Sequence, residues 1–327
     1  MKKFFAIFFS IILSIGCAGC SIRKYDERSK STVTLRIAYQ YGLAYEPLII
    51  CKENEMIEKA YEERTQKKLI VEWTQMNSGA DINTGMASNN LDIGFMGIGP
   101  AITGVSTGVG YKIFTGLSGQ EHGLMTNDSS IQSLGDLVGS DKQIALVNIG
   151  SIQHIILAKA LTENGYDAHA LDSNIVGLKH PDGMIALESG SVACHLTTNP
   201  YIYKERENSS LYEISEIKEV WSVDDSFIVG VASEILYADD PELYDTVCNA
   251  ISEAISFVND NPKESAKITC DLDGNSYEDE INYLKVGNYD SKTKGVFGLS
   301  QFMFENGFIE KKIDKYTDLV FPNVSGD

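Results

Sequence analysis

The sequence predicts an α/β protein of two lobes, each a mainly parallel sheet flanked by helices, with the chain crossing between lobes twice. Three observations predict it. Short strand-like runs alternate with helical stretches along most of the chain. The alternation restarts after Asp128, so one kind of unit occurs twice. A length of 327 residues suits two compact units, each with its own core. On this reading residues 33–125 and 230–327 form lobe 1, and residues 126–229 form lobe 2.

The elements follow in order. Leu35 to Tyr39 alternates as a strand and stops at Gln40-Tyr41-Gly42. Pro47 opens a helix expected over Leu48 to Tyr61. Leu69 to Trp73 is a second strand ending in Asn77-Ser78-Gly79, with a helix from about Ala80 to Ala87. Leu91 to Met96 is a third strand, and Gly97-Ile98-Gly99-Pro100 leads from it into a helix. Tyr111 to Leu117 is a fourth strand. After a short helix at Ile131 to Val138, Gln143 to Val147 is a strand ending in Asn148-Ile149-Gly150-Ser151. The next helix, Ile152 to Glu163, stops at Asn164-Gly165, a good C-terminal cap. Asn174 to Leu178, Asp182 to Ser189 and Val192 to Leu196 read as strand, helix and strand, ending in Thr197-Thr198-Asn199-Pro200. Phe227 to Ala232 is a strand that returns the chain to the first lobe. Helices are expected over Pro241–Asn259, Pro262–Cys270, Tyr277–Lys285 and Gly298–Asn306.

The first thirty residues have a different character. Met1-Lys2-Lys3 precedes an apolar run from Phe4 to Ile15, then Gly16-Cys17-Ala18-Gly19-Cys20-Ser21. A basic start, a dozen apolar residues and a small-residue exit describe a secretory signal. The run is short for a bilayer span of about 20 residues. A Cys after small residues resembles the bacterial lipoprotein signal, with Cys20 as the lipidated residue and Cys17 as the alternative. Residues 1–19 are then a signal peptide and residues 20–32 a polar tether. The protein is expected outside the cytoplasm, held at the membrane by lipid.

Composition narrows the function. There are 27 Lys and Arg against 46 Asp and Glu, a net charge of −19. A general nucleic-acid binder needs a basic face, so that partner is excluded. Small anions are not excluded, because backbone amides carry no formal charge. Four strand ends finish in small or amide residues and lead into helices: Tyr39-Gln40-Tyr41, Asn77-Ser78-Gly79, Gly97-Ile98-Gly99 and Asn148-Ile149-Gly150-Ser151. Ligands of open α/β sheets bind at such ends. The helix dipole there favours negative charge by about 0.3–1 kcal/mol. Cys51, Cys194, Cys248 and Cys270 remain after the signal and form no CxxC pair. They are expected chiefly as buried thiols, although export permits disulfides.

The segments IAYQYGLAYEPLIICKENEMIEK, EWTQMNSGADINTGMASNNLDIGFMGIGPAITGVSTG and VNIGSIQHIILAKALTENG resemble the periplasmic-type binding proteins for nitrate, taurine and aliphatic sulfonates, a family that also holds binders of thiamine pyrimidine precursors. LTTNPYIYKE is similar to a later strand end of that family. The resemblance runs from about Leu35 to Asp260, and LDIGFMGIGPAITG is its most specific part. EKAYEERTQKKLIVEW is longer and more charged than the family pattern. The resemblance implies a type II periplasmic binding protein fold, closing about a hinge on a small solute. It implies a permease and an ATPase of an ABC importer as partners, a monomeric chain and no cofactor. Carried over by position, the ligand-facing candidates are Tyr39, Gln40, Tyr41, Asn77, Ser78, Gly79, Gly97, Ile98 and Gly99 from lobe 1. Lobe 2 supplies Asn148, Gly150, Ser151, His154, Thr198 and Asn199.

None of these loops carries Arg. That favours a monoanion held by neutral donors over sulfate or phosphate. A sulfonate head on the helix ends fits, with its organic tail against Tyr39, Tyr41 or Trp221, and the same aromatics suit a pyrimidine ring. Asp224 and Asp225 beside Trp221 would suit an amine. Sulfonate, taurine, nitrate and a pyrimidine stay open. An enzyme is not expected. Ser151 and His154 stand three apart, but no GxSxG elbow, HExxH, P-loop or metal-ligand spacing is present.

Overall fold

The computed structural model describes residues 32–327, so the signal, Cys17, Cys20 and most of the tether lie outside the described residues. The chain begins with β1 (Val33–Tyr39), α1 (Glu46–Glu53), α2 (Met56–Thr65), β2 (Leu69–Gln75), α3 (Gly79–Ala87), β3 (Ile93–Gly97), α4 (Ile98–Thr107) and β4 (Tyr111–Ser118). It continues through β5 (His122–Thr126), β6 (Ile144–Leu146), α5 (Ile152–Glu163), β7 (Ile175–Gly177), α6 (His180–Glu188), β8 (Cys194–Thr198), α7 (Tyr201–Glu207), β9 (Tyr212–Ile214) and α8 (Glu216–Val220). It ends with β10 (Ile228–Ser233), α9 (Glu234–Asp239), α10 (Pro241–Asp260), α11 (Pro262–Asp273), α12 (Tyr277–Val286), α13 (Val296–Glu305) and α14 (Tyr316–Leu319).

These strands make two five-stranded sheets, ordered β2-β1-β3-β10-β4 and β7-β6-β8-β5-β9. The two orders match position for position. In the first sheet β1 runs parallel to β2 and β3, and β10 runs antiparallel to β3 and β4. In the second β6 runs parallel to β7 and β8, and β5 runs antiparallel to β8 and β9. The reversed strand of each sheet is the one that arrives from the other sheet. The α/β class and two-sheet architecture are as the sequence predicts.

The first crossing sits upstream of the expected position. His122–Thr126 pairs with β8, so the chain leaves the first sheet at Gly119-Gln120-Glu121 rather than at residue 125. With three residues between β4 and β5, the two strands read as one stretch in sequence. The crossing is pinned by charge: Arg206 holds Glu121 and Glu213, each at 2.7 Å, and the Tyr203 hydroxyl donates to Glu121 at 2.9 Å. The helix expected over Leu48–Tyr61 divides at Asn54-Glu55. There the Asn54 side chain donates to the Ile50 carbonyl, and Glu55 takes a left-handed φ of 52°.

Helix ends follow local chemistry. Ser78, Ser151, Ser233, Asp240 and Ser276 each accept an amide of the first turn of the helix they cap. The long α10 buries Leu243, Val247, Ile251, Ala254 and Val258 on one stripe, the 3.6-residue period of a surface helix, and packs on α1. Each large aliphatic side chain so buried contributes about 1.5–3 kcal/mol. One continuous apolar cluster runs from the first sheet (Leu35, Ile37, Phe95) into the second (Leu196, Ile214), with Ile98, Ile152 and Ile155 between. The cysteines Cys51, Cys194, Cys248 and Cys270 are free thiols, and burial pushes Cys51 up to about 12 and Cys194 to about 11. Among the described residues no helix is long and apolar enough to cross a membrane.

Candidate functional site

The parallel strands of both sheets end at one cleft. From the first sheet it receives Gln40, Tyr41 and Gly42 after β1, Asn77 and Gly79 after β2, and Gly97 and Pro100 after β3. Phe227 and Ile228 line it where β10 begins. From the second sheet come Val147, Ser151, Ile152 and Gln153 after β6, Lys179 and His180 after β7, and Thr198, Asn199 and Tyr201 after β8. The cleft encloses about 580 Å³ of unfilled space, including its open mouth, which suits a small solute.

Among the helix ends at this space, those of α3, α4 and α5 differ. Ser78 caps α3, and Asp81 in the first turn already supplies a carboxylate, 2.8 Å from the Ser78 hydroxyl. The first turns of α4 and α5 carry no acid. At α5 the Ser151 Oγ accepts the His154 amide at 3.3 Å, while the Ile152 and Gln153 amides, by position, have no acceptor within the helix. The α5 end is therefore the best seat for negative charge. Lys179 lines the same cleft, with its ammonium 5.5 Å above the Tyr41 ring and 3.7 Å from Asp182. His180 is pushed down to about 3 by burial and is neutral at ordinary pH. Among the described residues Lys179 is then the one formal charge lining the cleft. Gln40 is fixed from inside, accepting from the Tyr45 hydroxyl at 3.1 Å.

Of the sequence candidates, Gln40, Tyr41, Asn77, Gly79, Gly97, Ser151, Thr198 and Asn199 line the cleft. The others do not. Tyr39 is buried edge-on to Trp73, and Ser78 is occupied with Asp81. A Cβ on Gly97 would meet the Ile152 Cγ2 at 2.8 Å, and one on Gly99 would meet the Ile155 Cγ1 at 3.2 Å. These two glycines let the start of α4 approach α5, so lobe meets lobe there. Ile98 and Trp221 border a separate cavity with Lys159 and Phe302, and Trp221 lies edge-on to His122. The Asn148 amide turns to the Ile149 carbonyl at 2.5 Å. Gly150, at a φ of 82°, donates its amide to His154 Nδ1 at 2.9 Å.

That last bond places His154 in another network. With Nδ1 accepting, its proton sits on Nε2 and donates to Asp172 at 2.8 Å. The other Asp172 oxygen faces His169 Nδ1 at 2.8 Å, and His169 Nε2 faces the Asn306 carbonyl at 2.7 Å. Both His169 nitrogens meet acceptors, which suits the imidazolium. His154, His169 and Asp172 are close enough together for an ion, but the Nε2 proton on His154 removes the lone pair an ion would need. The Asn306 carbonyl, with Asp172, raises the His169 pKa above its ordinary value. A raised folded-state pKa stabilises below the unfolded value, near 6.5, and the benefit is lost as pH rises through the folded one. The melting temperature of the wild type should therefore fall more than that of His169→Gln between about pH 6 and pH 8. Parallel curves would show that the bond is not formed.

Sequence reading missed Tyr45, Gln153, Lys179, His180, Tyr201 and Phe227. Lys179-His180 does follow a strand and precede Pro181, which is a helix-start signal, but lacks the small residues used to select the other loops.

Residues 28–272 match the NMT1-like family model. The chain belongs to the NMT1-like family. Within this family framework, a protein of Bacillus subtilis (strain 168) named "Putative aliphatic sulfonates-binding protein" is 27% identical over 326 residues, covering 96% of this chain and 93% of that one. The alkanesulfonate-binding protein SsuA of Xanthomonas axonopodis pv. citri bound to MOPS superimposes with a TM-score of 0.71 at 16% identity, covering 90% of this chain and 99% of that one. The periplasmic nitrate-binding protein NrtA of Synechocystis PCC 6803 gives 0.66 at 14% identity, covering 88% and 84%. The fold of this NMT1-like chain is that of the two-lobed periplasmic binding proteins, as its sequence resemblance implies.

Proposed function

We propose that this protein is the extracytoplasmic solute-binding component of an ABC importer, anchored by lipid at Cys20, and that it captures a small organic sulfonate by closing its lobes. One observation carries the choice of solute. The acid-free N-terminus of α5, with Ser151, faces a cleft whose one formal charge among the described residues is Lys179 and whose walls include Tyr45, Phe227 and Ile228. A monoanionic head would take the amides and the ammonium, and a short apolar tail would take the walls. The relatives named for sulfonates agree with this reading. Contacts made by both lobes at once would favour the closed form and so drive closure. Among the described residues no nucleophile is paired with a base in the cleft, which supports a solute carried unchanged.

Calorimetric titration with ethanesulfonate, taurine, nitrate, sulfate and an aminopyrimidine tests the reading. Ethanesulfonate or taurine should bind most tightly. Tightest binding of the aminopyrimidine would replace it with the pyrimidine-precursor function. Ser151→Leu should weaken sulfonate binding by about tenfold or more, because a hydrogen bond to charge is worth about 1.5–3 kcal/mol. Its unfolding free energy should fall only by what a lost cap explains, about 0.5–2 kcal/mol. Unchanged affinity would remove Ser151 from the site.

A further inference from the structure

Behind the cleft wall of lobe 2 lies a buried chain of polar side chains that the proposed binding mode does not use. The amide nitrogen of Gln153 on α5, Nε2, stands 3.2 Å from His180 Nε2. His180 Nδ1 stands 3.4 Å from His195 Nε2, and His195 Nδ1 stands 2.6 Å from Glu205 Oε1. His195 and Glu205 have no exposed surface, and Gln153 has 2%. The site is built closely: a Cβ on Gly183 would lie 2.6 Å from His195 Nε2, and Tyr201 stacks on His180 at 5.8 Å.

Such a chain has two self-consistent directions. If Glu205 is a carboxylate, His195 Nδ1–H donates to it and His180 Nδ1–H donates to His195. Gln153 then gives its NH2 to His180 and leaves its carbonyl for the cleft. If Glu205 is the neutral acid, its O–H donates to His195 Nδ1. His195 Nε2–H then donates to His180 Nδ1, and His180 Nε2–H donates to the Gln153 carbonyl. The amide NH2 is left for the cleft. The two directions differ by the position of each proton and by a half-turn of the amide, whose nitrogen is toward His180 in the structure; the second direction takes the amide through that half-turn, which its near-equal O and N ends allow.

Burial decides between them. The titratable groups that bear on Glu205 are His195 from β8 and His180 and Glu188 from α6, with His122 of β5 beyond His180. Glu188 repels a second negative charge. Arg206, the neighbouring cation, is committed to Glu121 and Glu213. The second Glu205 oxygen has no hydrogen-bond partner. An ionised carboxylate here would be a buried charge with one hydrogen bond, which is costly. Desolvation accordingly pushes Glu205 up to about 9 and His195 down to about 3.

We infer that Glu205, His195 and His180 are positioning residues that turn the Gln153 amide so that its NH2 faces the cleft, making Gln153 a specificity-determining donor to a solute oxyanion. The inference rests on the proposed binding of an anion for its use, but not for its geometry.

Two measurements test it. Nitrogen-15 NMR of the histidine rings in the solute-free protein reads the direction of the chain. The inference expects His180 and His195 both protonated on Nε2 at about pH 7. Protonation of both on Nδ1 overturns it, whatever the solute proves to be. Calorimetry with ethanesulfonate from about pH 6 to pH 10 reads the use. Wild-type affinity should fall severalfold above about pH 9 as Glu205 ionises and the chain reverses. Glu205→Gln, whose amide N–H still donates to His195, should keep the affinity and lose that fall. Gln153→Met should bind about tenfold more weakly at every pH. A Glu205→Gln profile identical to wild type, or unchanged affinity in Gln153→Met, overturns the inference. Absence of any sulfonate binding by the wild type would reject the proposed solute instead, and the NMR result would still decide the chain direction.

Discussion

Gly97→Val is expected to lower solute affinity by about 10- to 100-fold while leaving each lobe folded. The reason is geometric. Gly97 ends β3 at φ −56° and ψ 145°, a conformation open to any residue, so valine brings little local strain. What its side chain meets is the other lobe: a Cβ alone lies 2.8 Å from the Ile152 Cγ2 at the start of α5. Overpacking of this kind costs about 1–3 kcal/mol, and under the proposed hinge closure that cost would fall on the closed arrangement. Lobes held apart would escape it. A penalty of that size on the binding-competent form lowers apparent affinity by the matching factor. Calorimetry reads the loss, and small-angle scattering at saturating solute should show a larger radius of gyration than wild type. The double variant with Ile152→Ala should recover much of the affinity, because it removes the opposing atoms. Wild-type affinity in Gly97→Val alone would mean that the lobes do not need this approach.

Phe95→Ala should cost the first lobe about 3–5 kcal/mol, the range for a large aromatic removed from a packed core. Phe95 lies in the middle of β3, has no exposed surface, and meets the Phe114 ring edge-on at 5.7 Å and 72°. Its ring occupies the space left by Gly230 on the neighbouring strand, where a Cβ would stand 2.6 Å from Phe95 Cε1. Glycine, strand and ring fit as a unit, so truncation leaves a hole that the sheet backbone cannot close. The two tryptophans allow the effect to be assigned. Trp73 lies on β2 of the first sheet, and Trp221 follows α8 beside His122 of the second. Urea unfolding followed on a Trp221→Phe background should show the full loss. A loss under about 1 kcal/mol would contradict the packing described.

Part of this protein could be read from sequence alone because part of it is local. Ser78 and Ser151 cap the helices that follow them, and Asn164-Gly165 ends α5 where expected, because these bonds join residues a few positions apart. The repeat of strand and helix set the two-sheet class for the same reason. The cleft face of Gln40, Asn77 and Ser151 followed from strand ends, which turn to one edge of each sheet by topology.

Tertiary structure decided the rest. Gly97 and Gly99 look like glycines that make way for a ligand; Gly97 does line the cleft, but both also make way for α5, and no local signal distinguishes the two uses. Trp221 has the character of a ligand-stacking aromatic and packs beside His122 instead. Gln153 and Lys179 entered the cleft unannounced, because which side chains face a gap depends on how two distant sheets are set against one another. His122–Thr126 is too short to declare its sheet, and its pairing with β8 joins residues more than sixty positions apart. Backbone conformation and capping are short-range energies carried by neighbouring residues. The shape of a cleft is a long-range consequence of packing, and it exists only once both sheets are in place.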